Sequence, residues 1–333
     1  GTASFSKVLP GLYRLFGGRT LTEAEAASVG GVIRAFGDGR TVRIGQSGQF
    51  ELQLLADRPG SLVISETRAG VPLGWEIDFA PTDGMLYFEV YNNSAGTLFL
   101  DGKIFGVAHE GVNNWPFLPC TASELVRRDP AGIYARWFLQ FPGSGTDYPI
   151  GPGEARLIAS EAIDHTPVHP TAPDLSHADF EVGGAANNPA VPDMIQLGPE
   201  GFPFPRFGGS LNTVFLAGPF DVASLSVVWR DHNGREFFRV PKERIIDAVA
   251  LRSVWPPSDT NFEPCAPMVQ RDFDRYEGGF VNIGINLSDM ALRSLQRKVL
   301  RIGPDGRKIL MNSNTSAYDF FLGRVPRTPG WIP

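Results

Sequence analysis

Cysteine is nearly absent from this 333-residue chain. Cys120 and Cys265 are the only two, set beside prolines in FLPC and EPCAP, and neither has a neighbour at metal-knuckle or redox-pair spacing. Two lone cysteines leave open either one disulfide or two buried thiols. Long apolar runs are missing too. No stretch has the length of a membrane-spanning helix and no basic, apolar-cored leader stands at Gly1, so the chain as written reads as soluble, with no direct membrane span. Basic runs are also absent. The 30 Lys and Arg are interspersed with 36 acids for a net charge of -6, which excludes the cationic groove of a general nucleic-acid binder. No P-loop, dinucleotide fingerprint or haem-attachment motif occurs. The GSG at Gly143 to Gly145 lies in a turn between strand-like runs, not at the strand-to-helix elbow that acyl transfer uses.

Glycine and proline are abundant instead. The 38 Gly and 28 Pro make up about a fifth of the chain, so helix interiors are short and turns frequent. With 42% hydrophobic residues and 24 Phe, there is enough apolar volume to fill one large or two ordinary domains. Near the N-terminus, Val32 to Phe36, Thr41 to Ile44 and Gln49 to Leu55 are short alternating runs separated by GDG and QSG, the pattern of a β-meander. In QFELQLL the alternation sets Phe50, Leu52 and Leu54 on one face. Ahead of it, Thr22 to Ser28 has acids early, as a helix of one or two turns would. The segment FSKVLPGLYRLF reads as an apolar arm carrying Phe5, Val8, Leu9, Leu12, Tyr13 and Leu15. A turn at ADRPG then divides residues 1–60, an arm and partial β-domain, from residues 61–333.

The second region opens on a buried strand, LVISE. In MLYFEVYNN, Leu86, Phe88 and Val90 oppose Tyr87, Glu89 and Tyr91, which predicts one buried and one polar face, with Asn92 to Ser94 turning into TLFLDG. Further strands are expected at Ile133 to Phe141, Glu154 to Ser160, Thr213 to Leu216, Leu225 to Trp229 and Glu236 to Val240, enough for a sandwich. PKERIIDAVAL, from Pro241, fits a helix opening or a strand end equally. Long loops at His109 to Arg127, Asp164 to Phe207 and Pro256 to Gly279 carry Trp115, Phe117, Phe202, Phe204 and Phe207. Such aromatics are expected to fold down over the sheets, or to form a binding surface.

The order and spacing of several segments resemble a known bacterial family. These are LVISE (Leu62 to Glu66), YFEVYNNSAGTLFLDG (Tyr87 to Gly102), FPGSGTDYPIGPGEARLIASEAIDHTPVHPTAPDLSHADFE (Phe141 to Glu181) and LQRKVLRIGPDGRKILMNSNTSAYDF (Leu295 to Phe320). Together they are similar to the cell-envelope family catalogued as domain of unknown function 4876. The resemblance implies a mainly β fold: an immunoglobulin-like, lamin-tail-like β-sandwich with long covering loops, here preceded by the small N-terminal β-meander. It also implies an exported, extracellular or cell-surface address, with no reaction assigned. That oxidising address favours a Cys120–Cys265 disulfide, which would restrict the unfolded chain by roughly 4 to 5 kcal/mol in a chain-entropy treatment. With no N-terminal cysteine to carry lipid, direct lipid anchoring is not expected.

The one concentration of chemistry-bearing residues interleaves His165, His169 and His177 with Asp164, Asp174 and Asp179. His165 and His169 are four apart, but Pro167 and Pro170 argue against the helix that would align them. The carboxylates suit turn capping. The alternative is a loop that gathers His165, His177, Asp164, Asp174 and Asp179 around a metal, with Ca²⁺ the cofactor to consider where otherwise none is expected. Glu66, Glu89 and Asp101 invite comparison with a glycosidase pair, but alternation sets Glu89 on the polar strand face, and no catalytic set emerges. The functional expectation is therefore a non-enzymatic surface protein working through protein contacts, as a homo-oligomer or envelope assembly. Self-assembly would run through the arm and the Phe50, Leu52, Leu54 face. The alternatives are a ligand- or metal-binding accessory of an outer-membrane uptake system, and a hydrolase.

Overall fold

Alternating runs broken by Gly and Pro produce a nearly all-β molecule. The computed structural model describes residues 2–20, 22, 24, 34–45, 48–50, 54–56, 61–68, 85–109, 133–167, 172–182, 188–197, 211–230, 236–241, 244–253, 281–283, 293–312, 316–324 and 330. The chain divides into two compact units, residues 1–59 and 60–333.

The first unit is one antiparallel sheet of β1 (Gly11–Thr20), β2 (Arg34–Ile44) and β3 (Leu54–Ala56), with β2 in the middle. Two expectations change here. Half of the expected apolar arm is strand β1, and GDG is no turn but the interior of β2. Gly17 and Gly18 of β1 face Gly37 and Phe36 of β2 beside a bulge between Leu15 and Gly17, so glycines that read as punctuation instead fit an irregular stretch of ladder. Phe50 lies outside any strand and is exposed, and Leu54 opens β3. Leu52 and most of Thr22 to Ser28 lie outside the described residues.

The second unit begins with β4 (Leu62–Arg68), β5 (Tyr87–Asn92), β6 (Leu98–Phe99), β7 (Ile104–His109), β8 (Ile133–Gln140), β9 (Pro149–Ile150) and β10 (Ala155–Ala159). It continues with β11 (Phe180–Glu181), β12 (Ile195–Leu197), β13 (Leu211–Ala217), β14 (Val227–Arg230), β15 (Glu236–Val240) and β16 (Ile245–Ser253). The last strands are β17 (Val281–Ile283), β18 (Arg293–Arg297), β19 (Val299–Ile302), β20 (Lys308–Leu310) and β21 (Phe320–Arg324). The undecided segment after Pro241 is thus strand β16.

A six-stranded sheet runs β11-β10-β5-β4-β18-β21. An eight-stranded sheet runs β14-β15-β8-β7-β13-β16-β17, with β12 also on β8. Their facing sides share one core: Ile64, Phe88, Val90 and Ile158 from the first sheet meet Phe105, Leu139, Val214 and Val249 from the second. Phe88 and Phe105 stack across the interface with ring centroids 3.7 Å apart. This is the β-sandwich the sequence pattern predicts. Its sheets of six and eight strands exceed the roughly seven to nine strands of a whole immunoglobulin domain.

The outer face of the six-stranded sheet is covered too, which alternation did not foretell. Tyr87, expected on the polar face, packs with Leu157, Leu175 and Ala178 under the segment following β10. Tyr91 packs with Val63 and Leu310, where its hydroxyl donates to Lys308 O at 2.5 Å in the β19–β20 hairpin. That hairpin turns through Gly303 to Gly306, with Gly306 at φ +79°. Asn92 is fully buried and its amide donates to Gly96 O and Ile150 O.

Candidate functional site

The covered outer face of the six-stranded sheet carries the least expected chemistry. In the β4–β5 ladder Glu66 lies directly opposite Glu89, beside a register shift between Ile64 and Glu66 that leaves Ser65 as the extra residue. Opposed side chains in an antiparallel pair stand about 4.5 to 5.5 Å apart at Cβ. Both carboxyls are buried, Glu66 at 2% and Glu89 at 1% exposure. Glu66 Oε1 accepts from Tyr87 OH at 2.6 Å, Ser294 Oγ at 2.5 Å and Gln296 Nε2 at 3.4 Å. Ser65 Oγ lies 2.6 Å from Glu89 Oε1 and 3.3 Å from Glu89 O. Glu89 Oε2 is buried with no hydrogen-bond partner.

Burial raises the pKa of both acids. It pushes Glu89 up to about 8, against the opposing Ser65 hydrogen bond and with the help of the neighbouring Glu66 charge. Glu66 is raised by burial, and its three side-chain donors act the other way. The Tyr87 phenol is raised as well, by burial first and then by Glu66. The chemical sense is consistent. Three side-chain donors favour the charged form of Glu66, whereas Glu89 has the Ser65 hydroxyl and the Gly330 N–H. The Ser65 hydroxyl donates to Glu89 Oε1, with Glu89 O a second acceptor in reach. Asp101 takes no part. Its carboxylate collects the N–H groups of Gly145, Asp147 and Tyr148 at 2.8 to 3.0 Å and holds the GSG turn.

A second buried charge sits on β18. Arg297 donates to Ile64 O and Met311 O at 2.8 Å, pairs with Asp247 at 2.5 Å and Asp319 at 3.4 Å, and lies over the Phe320 ring at 4.4 Å. Asp247 also accepts from Ile64 N at 2.7 Å. Burial pushes Asp247 up to about 6 despite the Arg297 charge. This network ties β4, β16 and β18 together.

The His/Asp segment is built as turns. Asp164 accepts from Thr166 N and Asp174 from Ser176 N and Oγ, while the two aspartates face each other in an isolated antiparallel bridge. Asp179 accepts from Leu157 N at 2.8 Å and pairs with Arg156 at 3.6 Å. His165 is buried with Nε2 3.3 Å from Glu161 O, and burial lowers its pKa. His177 is exposed beside Gly330. Among the described residues no three His, Cys, Asp or Glu side chains converge as a metal site would require. His169, Cys120, Cys265, Trp115, Phe117, Phe202, Phe204 and Phe207 lie outside the described residues.

On the outer face of the eight-stranded sheet a hollow of about 380 Å³ opens between Leu197, Phe220, Val222 and Phe238, with Gln140 and Asp221 at its rim. Asp221 caps the short 3-10 turn Val222–Ser224. In the first unit Phe5 and Leu9 are 80% and 74% exposed, and Val8 is exposed as well. Tyr13 is half-buried and its hydroxyl donates to Leu9 O at 2.8 Å. Leu12 and Leu15 lie on β1.

The Glu66–Glu89 pair is what reading the sequence by alternation missed. Alternation placed Glu89 on the polar face correctly but could not show that the face is covered, or that a bulge at Ser65 brings Glu66 opposite. The signal available was two glutamates in neighbouring apolar strands.

No protein-family model matches the sequence, and no curated protein does. In structure the chain is similar to a DUF4876 family protein from Bacteroides thetaiotaomicron VPI-5482, solved by crystallography at 2.50 Å resolution, with a TM-score of 0.58 and 20% identity over 98% of this chain and 87% of that one. At that identity the shared property is the fold. It is the family whose segments the sequence resembles, so the resemblance is borne out: this chain has the fold of a DUF4876 family protein.

Proposed function

We propose that this protein is a non-enzymatic, exported β-sandwich subunit that works at the cell surface through contacts with further copies of itself. The observation that carries the reading is the edge of the first unit. Strand β1 is ten residues long and, among the described residues, pairs with β2 alone. It contains no proline and is preceded by exposed Phe5, Val8 and Leu9. A long edge strand without proline is a template for strand addition, and a three-stranded sheet gains stability from a further strand. A second copy supplies that strand. Two-fold pairing would close a dimer, and head-to-tail pairing would give a filament. An oxidised Cys120–Cys265 pair and a lamin-tail-like kinship of the sandwich belong to the same reading.

The hollow at Phe220 and Phe238 favours a second reading, an accessory of an outer-membrane uptake system that binds a small apolar ligand. A hydrolase finds less support, since Glu66 and Glu89 are closed to any substrate of size.

Light scattering tests the first reading. The full chain should be oligomeric, and both deletion of residues 1–28 and the double substitution Phe5→Ser, Leu9→Ser should reduce it to monomer. A full chain that stays monomeric at high concentration, or variants that assemble as before, would overturn it.

A further inference from the structure

We propose that Glu66 and Glu89 form a proton-binding latch: the pair holds one proton while residues 172–179 are closed over the outer face of the six-stranded sheet, and release of that proton loosens this covering segment. The inference does not depend on self-assembly.

Three observations of geometry carry it. The two carboxyls are register partners at a bulge, both inside the covered layer. One of their oxygens, Glu89 Oε2, is buried and unpartnered, an arrangement tolerable for a neutral carboxylic acid and costly for a carboxylate. The covering segment is fastened at the next strand over. Leu157, the β10 partner of Glu89, donates to Asp179 Oδ2 at 2.8 Å and accepts from Asp179 N at 2.9 Å.

The groups around the pair sharpen the argument. On β4 the Arg68 guanidinium donates to Met85 O at 2.8 Å. On β5 the Tyr87 phenol is committed to Glu66. On β18 the neighbours Ser294 and Gln296 are uncharged donors, also to Glu66. In the covering segment stand Asp179, paired with Arg156, and His177, while the Gly330 backbone N–H opposes the rise in Glu89. Once Glu89 ionises, Glu66, Glu89 and Asp179 form a row of three negative charges, and the last of them holds the cover to β10. Repulsion along the row acts on that fastening. A metal ion is a poorer occupant than a proton, because Glu66 Oε1 would have to surrender three donors and no third acidic ligand is in place.

The test is hydrogen exchange of residues 172–179 at pH 6 and pH 9, corrected for intrinsic exchange rates, in the parent and in Glu89→Gln. In the parent the protection of this segment should fall by at least about tenfold at the higher pH, and in Glu89→Gln it should change by less than about twofold. An equal fall in both proteins, or none in the parent, overturns the proposal. Should Glu89→Gln not fold, carbon NMR of the parent's Glu side chains decides instead: one carboxyl titrating above pH 7 is expected, and all of them titrating below pH 6 overturns it.

Discussion

Glu89 and Arg297 show how differently two buried ionisable groups are accommodated. Arg297 keeps its charge because two carboxylates and two backbone carbonyls surround it. Replacing it with Met leaves Asp247 and Asp319 buried without their cation, and should lower stability by about 3 to 5 kcal/mol in urea unfolding. Glu89 has the Ser65 hydroxyl and the Gly330 N–H beside it, and burial outweighs both. Its folded pKa of about 8, with Asp247 at about 6, lies above the roughly 4 of an unfolded carboxyl. The folded state therefore retains protons that the unfolded chain has released. Their contribution to stability is fully present below about pH 4 and is lost as pH rises toward 8, by up to about 1.4 kcal/mol per pH unit and group, levelling off beyond. Urea midpoints at pH 5, 7 and 9 should fall in that order, and Glu89→Gln should flatten the upper part of the slope. Glu66→Gln should instead destabilise at every pH, since an amide oxygen replaces the anion that holds three donors. Gly106 shows the opposite constraint. A Cβ there would lie 2.3 Å from the Phe215 ring, so Gly106→Ala should cost about 1 to 3 kcal/mol by overpacking.

At the level of elements, alternation located several strands of the sandwich. Ile133 to Phe141, Glu154 to Ser160, Thr213 to Leu216 and Glu236 to Val240 each fall on a strand of the sandwich. It failed where glycines interrupt a ladder, because local sequence cannot tell a glycine that turns the chain from one that sits in a bulge opposite other glycines. Strands β1 and β2 are that case. It also failed for TLFLDG, where only Leu98 and Phe99 are strand and pair with Pro149 and Ile150. The expected Cys120–Cys265 disulfide, whose two residues lie outside the described ones, belongs to this scale. Intact-mass measurement without reductant should show the mass of one bond, and alkylation of both thiols in unfolded, unreduced protein would show the pair to be free.

For the whole molecule, 38 Gly, 28 Pro, the period-two runs and the abundance of Phe determined the class, because they suppress helix interiors and leave sheets whose apolar faces must meet. The quoted family segments determined the fold to expect. The Asp-rich turns at Asp164, Asp174 and Asp179 were also legible, since an Asx side chain capturing a backbone N–H is a local event. Two features were decided only by the tertiary structure. One is the covering of the six-stranded sheet's outer face, which turned the polar side of β5 into interior. The other is the pairing of Glu66 with Glu89, residues in different strands brought opposite by a register shift. Alternation assigns a side chain to a face, but whether that face meets water depends on segments distant in the chain, here Ala162, Leu175 and Ala178 and the hairpin at Val299 to Leu310. The same glutamates are solvated ions without that cover and a proton-holding pair beneath it, because the cost of a charge is set by what replaces its water.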